Sequence, residues 1–135
     1  MATPQKLKVA RLYKDFDMLF TKNALSGDIN KKLDVNAVKQ SIKTLLLTKP
    51  YERPFHPELG SALYQFLFEQ MDPQLGTNIS TAVEQQIRNY ELRVDIISIL
   101  TEPDYDQNSY DVQIRFLIKG INEPQDLSVS LTRLR

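Results

Sequence analysis

Thr77-Asn78-Ile79-Ser80-Thr81-Ala82-Val83-Glu84-Gln85-Gln86-Ile87-Arg88-Asn89-Tyr90-Glu91-Leu92-Arg93-Val94-Asp95-Ile96-Ile97-Ser98-Ile99-Leu100 reads as a helix running straight into a strand. Ile79, Ala82, Val83, Ile87 and Tyr90 fall three and four apart, the spacing of one apolar helical face. From Val94 the residues turn β-branched, and such side chains suit a pleated surface because their χ1 is already restricted. Glu91 and Arg93 therefore stand at a fixed corner between two rigid elements, where charged groups are positioned rather than free.

Outward from that corner the pattern holds in both directions. Downstream, Val112, Ile114, Phe116 and Ile118 alternate with Asp111, Gln113, Arg115 and Leu117, which predicts a strand over Tyr110–Lys119 with one apolar face. Gly120–Asp126 reads as a turn, and Leu127, Val129 and Leu131 then alternate with Ser128, Ser130 and Thr132 up to Arg133-Leu134-Arg135. Three successive strands joined by short polar loops predict an antiparallel meander. Its last strand is either a solvated edge or a donor to another chain's sheet, since an exposed edge is a pairing template.

Upstream, Asp34 can cap a helix with Val35, Val38, Ile42, Leu45 and Leu46 on its inner face. Thr48-Lys49-Pro50 ends it, because the residue before proline is pushed out of the α region. The stretch Pro50–Gly60 holds three prolines and a glycine, so it reads as an irregular loop whose Tyr51, Phe55 and Leu59 seek cover. Ser61 opens a short helix with Leu63, Phe66, Leu67 and Met71 inward. Asp72-Pro73 supplies a cap and a first-turn proline, and Gly76 is expected to interrupt before the central helix. Residues 1–33 read as an extended arm with one or two short strands (Leu7, Val9 and Arg11 alternating) and a turn at Ser26-Gly27-Asp28. The fold expected is α+β: three helices packed on a mainly antiparallel sheet, in one domain divided into an arm (1–33), a helical part (34–91) and a β-meander (92–135).

Composition narrows the function. The 135 residues are 41% hydrophobic and 25% charged, ordinary for a globular domain that needs no metal or disulfide to hold its core. Without cysteine and with His56 as the sole histidine, thiolate and histidine metal sites are not expected. Seventeen basic residues balance seventeen acidic ones, so no basic excess points to nucleic acid. No apolar run reaches the ~20 residues of a membrane span, and no signal-peptide core follows Met1; a cytoplasmic protein is expected. Glycines at 27, 60, 76 and 120 form no phosphate loop, and no serine sits in a nucleophile elbow. Paired carboxylates roughly 5–10 Å apart could cleave a glycosidic bond, with Glu52, Glu58, Glu69 and Glu91 as available acids. Nothing in the sequence marks one of them as buried among apolar groups.

Two stretches, taken together, resemble a known family. Leu46-Leu47-Thr48, then Glu52-Arg53-Pro54-Phe55-His56-Pro57-Glu58-Leu59-Gly60 and Leu67-Phe68-Glu69, look like the loop and second helix of the phage baseplate wedge proteins, some of which carry the label "lysozyme-like". Further on, Ile87 and Asn89-Tyr90-Glu91-Leu92-Arg93-Val94 are similar to that family's Glu-Pro-Arg corner. The resemblance covers residues 15–119, with Leu92 where the family has proline and Tyr51 where it has glycine. It implies a structural, non-enzymatic component of a contractile injection machine: a phage tail, a tail-like bacteriocin or a type VI secretion baseplate. Such a protein binds the helical core bundle of the wedge and initiates the tail sheath through a sheet similar to the sheath's own handshake module. The contacts implied are Glu91, Arg93, Arg53 and Glu52 toward the wedge bundle, and Val112, Ile114, Phe116, Leu127, Val129 and Leu131 toward a paired sheath strand. It further implies several copies per baseplate (six expected), assembly in the host cytoplasm, and neither cofactor nor metal. The competing reading is a tail-associated enzyme that cleaves peptidoglycan.

Overall fold

The computed structural model describes residues 13–133. The alternation expected at Leu7, Val9 and Arg11, and the expected strand end at Leu134 and Arg135, lie outside the described residues. The chain divides into two compact units, up to Ala37 and from Val38 onward.

In the first unit, β1 (Lys14–Phe16) pairs antiparallel with β2 (Lys31–Leu33). Asp17 organises the segment between them: its carboxylate accepts from the Thr21 hydroxyl at 2.7 Å and the Leu19 N–H at 3.3 Å, and lies 3.9 Å from Lys32 Nζ. Gly27 takes φ +72 in the expected Ser26-Gly27-Asp28 turn, a conformation open to glycine at no steric cost. Asp34, expected as a helix cap, stands at φ +46, and its Oδ1 accepts from the Tyr13 N–H at 3.2 Å.

Helix α1 (Val35–Leu47) stops where the proline rule places its end, and Val38, Ile42 and Leu46 are buried. The expected second helix is a single turn, α2 (Leu63–Phe66), with Leu63 and Leu67 buried and Phe66 and Met71 half-buried. Helix α3 (Pro73–Tyr90) begins at its Asp72 cap, whose Oδ1 accepts from the Gln74 N–H, and runs unbroken through Gly76. The expected interruption is absent because Gly76 sits inside the packing. A Cβ there would stand 3.4 Å from the Thr101 carbonyl oxygen of the sheet. Leu75, Ile79, Val83 and Ile87 form the buried stripe.

The meander has the order β3-β4-β5, all antiparallel: β3 Val94–Asp104, β4 Ser109–Ile118, β5 Ile121–Thr132. Central β4 alternates cleanly, with Tyr110, Val112, Ile114, Phe116 and Ile118 buried. In β3 the register shifts between Ile96 and Ser98, so Ile97 bulges and the inward phase moves from Val94 and Ile96 to Ile99 and Thr101. That bulge explains why a run of isoleucines shows no simple alternation. β5 begins at Ile121, six residues earlier than Leu127, where the sequence pattern placed it. Pro124 is tolerated within it because β5 is an edge strand.

Candidate functional site

The corner is closed by its own charges. Arg93 Nε donates to Glu91 Oε1 at 2.6 Å, and the guanidinium's Nη2 to Oε2 at 2.7 Å, a two-pronged fork. The Ser41 hydroxyl, from α1, donates to the same Oε2 at 2.7 Å. Glu91 is only 5% exposed while the Arg93 side chain is 31% exposed. Burial pushes the Glu91 carboxyl upward, but the Arg93 and Ser41 hydrogen bonds and the guanidinium charge outweigh it and hold the group below its ordinary value. A carboxylate so held is poorly suited to donate a proton to a leaving group. The backbone is pinned as well, with Glu91 N–H donating to the Ile87 carbonyl and Lys119 N–H to the Arg93 carbonyl, both at 2.8 Å. Leu92, in the family's proline position, is 72% exposed at the tip.

The preceding loop is tied to this corner: the Tyr90 hydroxyl donates to the Glu58 carbonyl at 3.1 Å. The Lys49 N–H donates to Glu52 Oε2 at 2.8 Å, while Arg53 is exposed. Ser61 N–H reaches back to the Thr48 carbonyl at 3.0 Å, closing the loop at its base. There Gly60 is obligatory, because a Cβ on it would fall 1.9 Å from Pro50 Cα. Within the loop, Tyr51 (φ +62) and Phe55 (φ +72) occupy left-handed backbone, which is strained for bulky side chains. Tyr51 stands at the position that the resemblance gives to glycine, and its backbone angle is one that glycine takes freely. Tyr51 and Phe55 do not find the cover expected of them: they are 83% and 95% exposed. Leu59 is half-buried.

The strand-pairing residues need correction. Val112, Ile114 and Phe116 are core residues on a strand already paired on both sides, so neither their side chains nor their backbone can meet an incoming strand. Leu127, Val129 and Leu131 also face inward, half-buried or buried. Arg133 N–H donates to the Asn108 carbonyl, so the alternation of an antiparallel ladder turns the backbone of residues 127, 129 and 131 toward β4. Ser128, Ser130 and Thr132 are thus left with N–H and C=O groups directed away from β4, and all three are exposed. No other strand pairs with β5 among the described residues. The outer edge of β3 differs. Lys119 N–H on Arg93 O sets the same alternation there, which after the bulge turns Ile99, Thr101 and Pro103 outward. Pro103 has no N–H to offer, α3 approaches the Thr101 carbonyl at Gly76, and the Ser80 and Thr101 hydroxyls bond at 2.7 Å.

Two residue sets escaped the sequence reading. Ser41 was legible, since it lies three residues after Val38 and four before Leu45 on an otherwise apolar face. The open groups of Ser128, Ser130 and Thr132 follow only from register, which composition does not carry. Among the described residues no group of three or more His, Asp or Glu is placed to hold a metal.

Residues 33–123 match the family described as "Baseplate wedge protein gp25". The baseplate wedge protein gp25 of Enterobacteria phage T4 is 33% identical over 119 residues, 88% of each chain. Two solved structures share the fold. One, from Geobacter sulfurreducens and named as a proposed tail lysozyme, has a TM-score of 0.68 at 18% identity, over 73% of this chain and 89% of its own. The other is in the cryo-EM baseplate of the anti-feeding prophage, with a TM-score of 0.63 at 20% identity, over 91% of this chain and 87% of that one.

Proposed function

The chain belongs to the gp25 baseplate wedge family of contractile tails, and from that premise we propose that it initiates the tail sheath by strand addition at the outer edge of β5. The observation that carries this reading is the contrast between the two sheet edges. β3 has a bulge, a proline and a helix against it, the usual defences of an edge. β5 from Leu127 to Thr132 has no charge, proline or register shift. An incoming sheath strand would exchange backbone hydrogen bonds with Ser128, Ser130 and Thr132 and extend the sheet. The helix–corner–loop side would dock on the helical core bundle of the wedge, in several copies per baseplate, six by expectation, during assembly in the host cytoplasm. Glu91 and Arg93 would shape that side through their mutual bond, with Arg53 and Glu52 at its rim, and the protein works without catalysis.

Ser130→Pro tests the strand step. It deletes an outward N–H while leaving the β4 ladder intact, as Pro124 already does in the same strand. Baseplates carrying the variant should form and, by electron microscopy, lack an ordered sheath. Normal sheaths on the variant would reject strand addition, leaving a wedge component only.

A further inference from the structure

We propose that Pro124 is a register stop: it ends the pairing frame on β5, so that the incoming sheath strand aligns with residues 126 to 132 and does not slide toward Ile121. This rests on the strand-addition reading above and deepens it. The ladder with β4 runs unbroken from Leu117 opposite Pro124 to Ser109 opposite Thr132. The alternation that turns residues 127, 129 and 131 toward β4 therefore carries back along the whole stretch. It places Pro124, Asp126, Ser128, Ser130 and Thr132 in one outward series. The last four present both an N–H and a C=O to the open edge, whereas Pro124 has no N–H to present. The Asp126 carboxylate is drawn sideways along the sheet, with Arg115 Nε of β4 at 3.4 Å, and its backbone stays available.

Register needs such a mark because the side chains supply none. Leu127-Ser128-Val129-Ser130-Leu131-Thr132 repeats every two residues, with apolar groups turned inward and hydroxyls exposed. A strand moved along by two residues meets nearly the same surface, and weakly specified strands of this kind slip. At Pro124 the equivalence ends. A strand slid by one repeat in that direction sets a carbonyl against the pyrrolidine ring, with no donor to receive it. One backbone hydrogen bond left unmade is enough to disfavour that register about ten-fold. A proline that served only to prevent pairing would be poorly placed here, since residues 127 to 132 stay open beside it. The frame calls for a partner strand with apolar side chains level with Leu127, Val129 and Leu131, and small or polar ones level with Ser128, Ser130 and Thr132.

The test uses full-length Pro124→Ala, which restores an outward N–H and leaves the β4 ladder untouched, and Pro124→Val, whose side chain suits a strand better. Both free chains should melt within a few degrees of the native one. Baseplates carrying each are given the sheath protein of the same tail, and the junction is imaged by electron cryo-microscopy. On native baseplates the added strand should lie in one register that ends at Asp126. On either variant a second class of particles should show the strand paired across residue 124. The share of tails with an ordered first sheath ring should then fall roughly two-fold, as the two registers become nearly equal in free energy. A single register and native sheath yield on both variants, with Ser130→Pro still blocking the sheath, would overturn the stop while strand addition stood. Ordered sheaths on Ser130→Pro as well would remove strand addition and the stop with it.

Discussion

The loop Pro50–Gly60 and the corner that joins α3 to β3 carry the same kinds of residue and treat them in opposite ways. At the corner the charged groups turn inward and satisfy each other, so a carboxylate that looks like a docking handle is a structural part. In the loop the aromatics turn outward on strained backbone. The lesson concerns what marks an interface. Charge at a conspicuous position is readily absorbed by a neighbour two residues away. The loop aromatics have no such enclosure: Tyr51 and Phe55 stay exposed in spite of their apolarity.

The sharpest way to break the loop half of this contrast is Gly60→Ala. The added methyl would overlap the Pro50 backbone, and no side-chain rearrangement can relieve a clash between backbone atoms. The expected cost is about 3 kcal/mol, at the upper end for overpacking. It should appear as a lower melting temperature and rapid proteolytic nicking between residues 50 and 60. A variant as stable as the native chain would mean that the loop does not close as described.

Next in size is the corner. Arg93→Met leaves Glu91 buried with only Ser41 as a side-chain partner, and should destabilise by about 2 kcal/mol. That is below the 3–5 kcal/mol typical of a fully buried pair, because Arg93 is partly exposed to water. The pH dependence has a definite sign. The folded-state pKa of Glu91 is lowered, so its contribution is complete above the ordinary value of 4.5 and is lost as pH falls through the folded pKa. Denaturant melts of the native chain and Glu91→Gln should therefore differ most at neutral pH and converge in acid below 4.5. Parallel curves throughout would show that the ion pair contributes nothing. The same variant separates scaffold from enzyme: a scaffold loses stability or assembly, whereas a lysozyme would lose peptidoglycan cleavage while assembling normally.

How much of this was legible depends on which physics wrote it. The helix–strand junction and the alternation of β4 are periodicities, and the structure follows them within a residue or two. α3 departs from expectation only at Gly76, since propensity counts glycine as a break, whereas a glycine buried within a packed helix costs only about 1 kcal/mol and the helix runs through it. β5 was misplaced because Pro124 argues against a strand everywhere except at an edge, and edges are a property of topology. The family resemblance pointed to the loop and the corner. It could not say that Glu91 would be enclosed, because Ser41 lies fifty residues away in the chain.

The smallest effect gives the finest comparison, between the two glycines. Gly60 is required by contact, whereas a methyl on Gly76 would sit at 3.4 Å from the Thr101 oxygen, the near limit of an ordinary contact. Alanine there gains up to about 1 kcal/mol of helix propensity in α3. Against that stands any slight displacement of the helix from β3, which the Ser80–Thr101 hydroxyl pair resists. The two should nearly cancel, so Gly76→Ala should change stability by less than about 0.5 kcal/mol in denaturant titration. A destabilisation as large as that of Gly60→Ala would show that α3 is pressed onto the β3 edge with no slack. The closed edge would then be as tightly specified as the base of the loop.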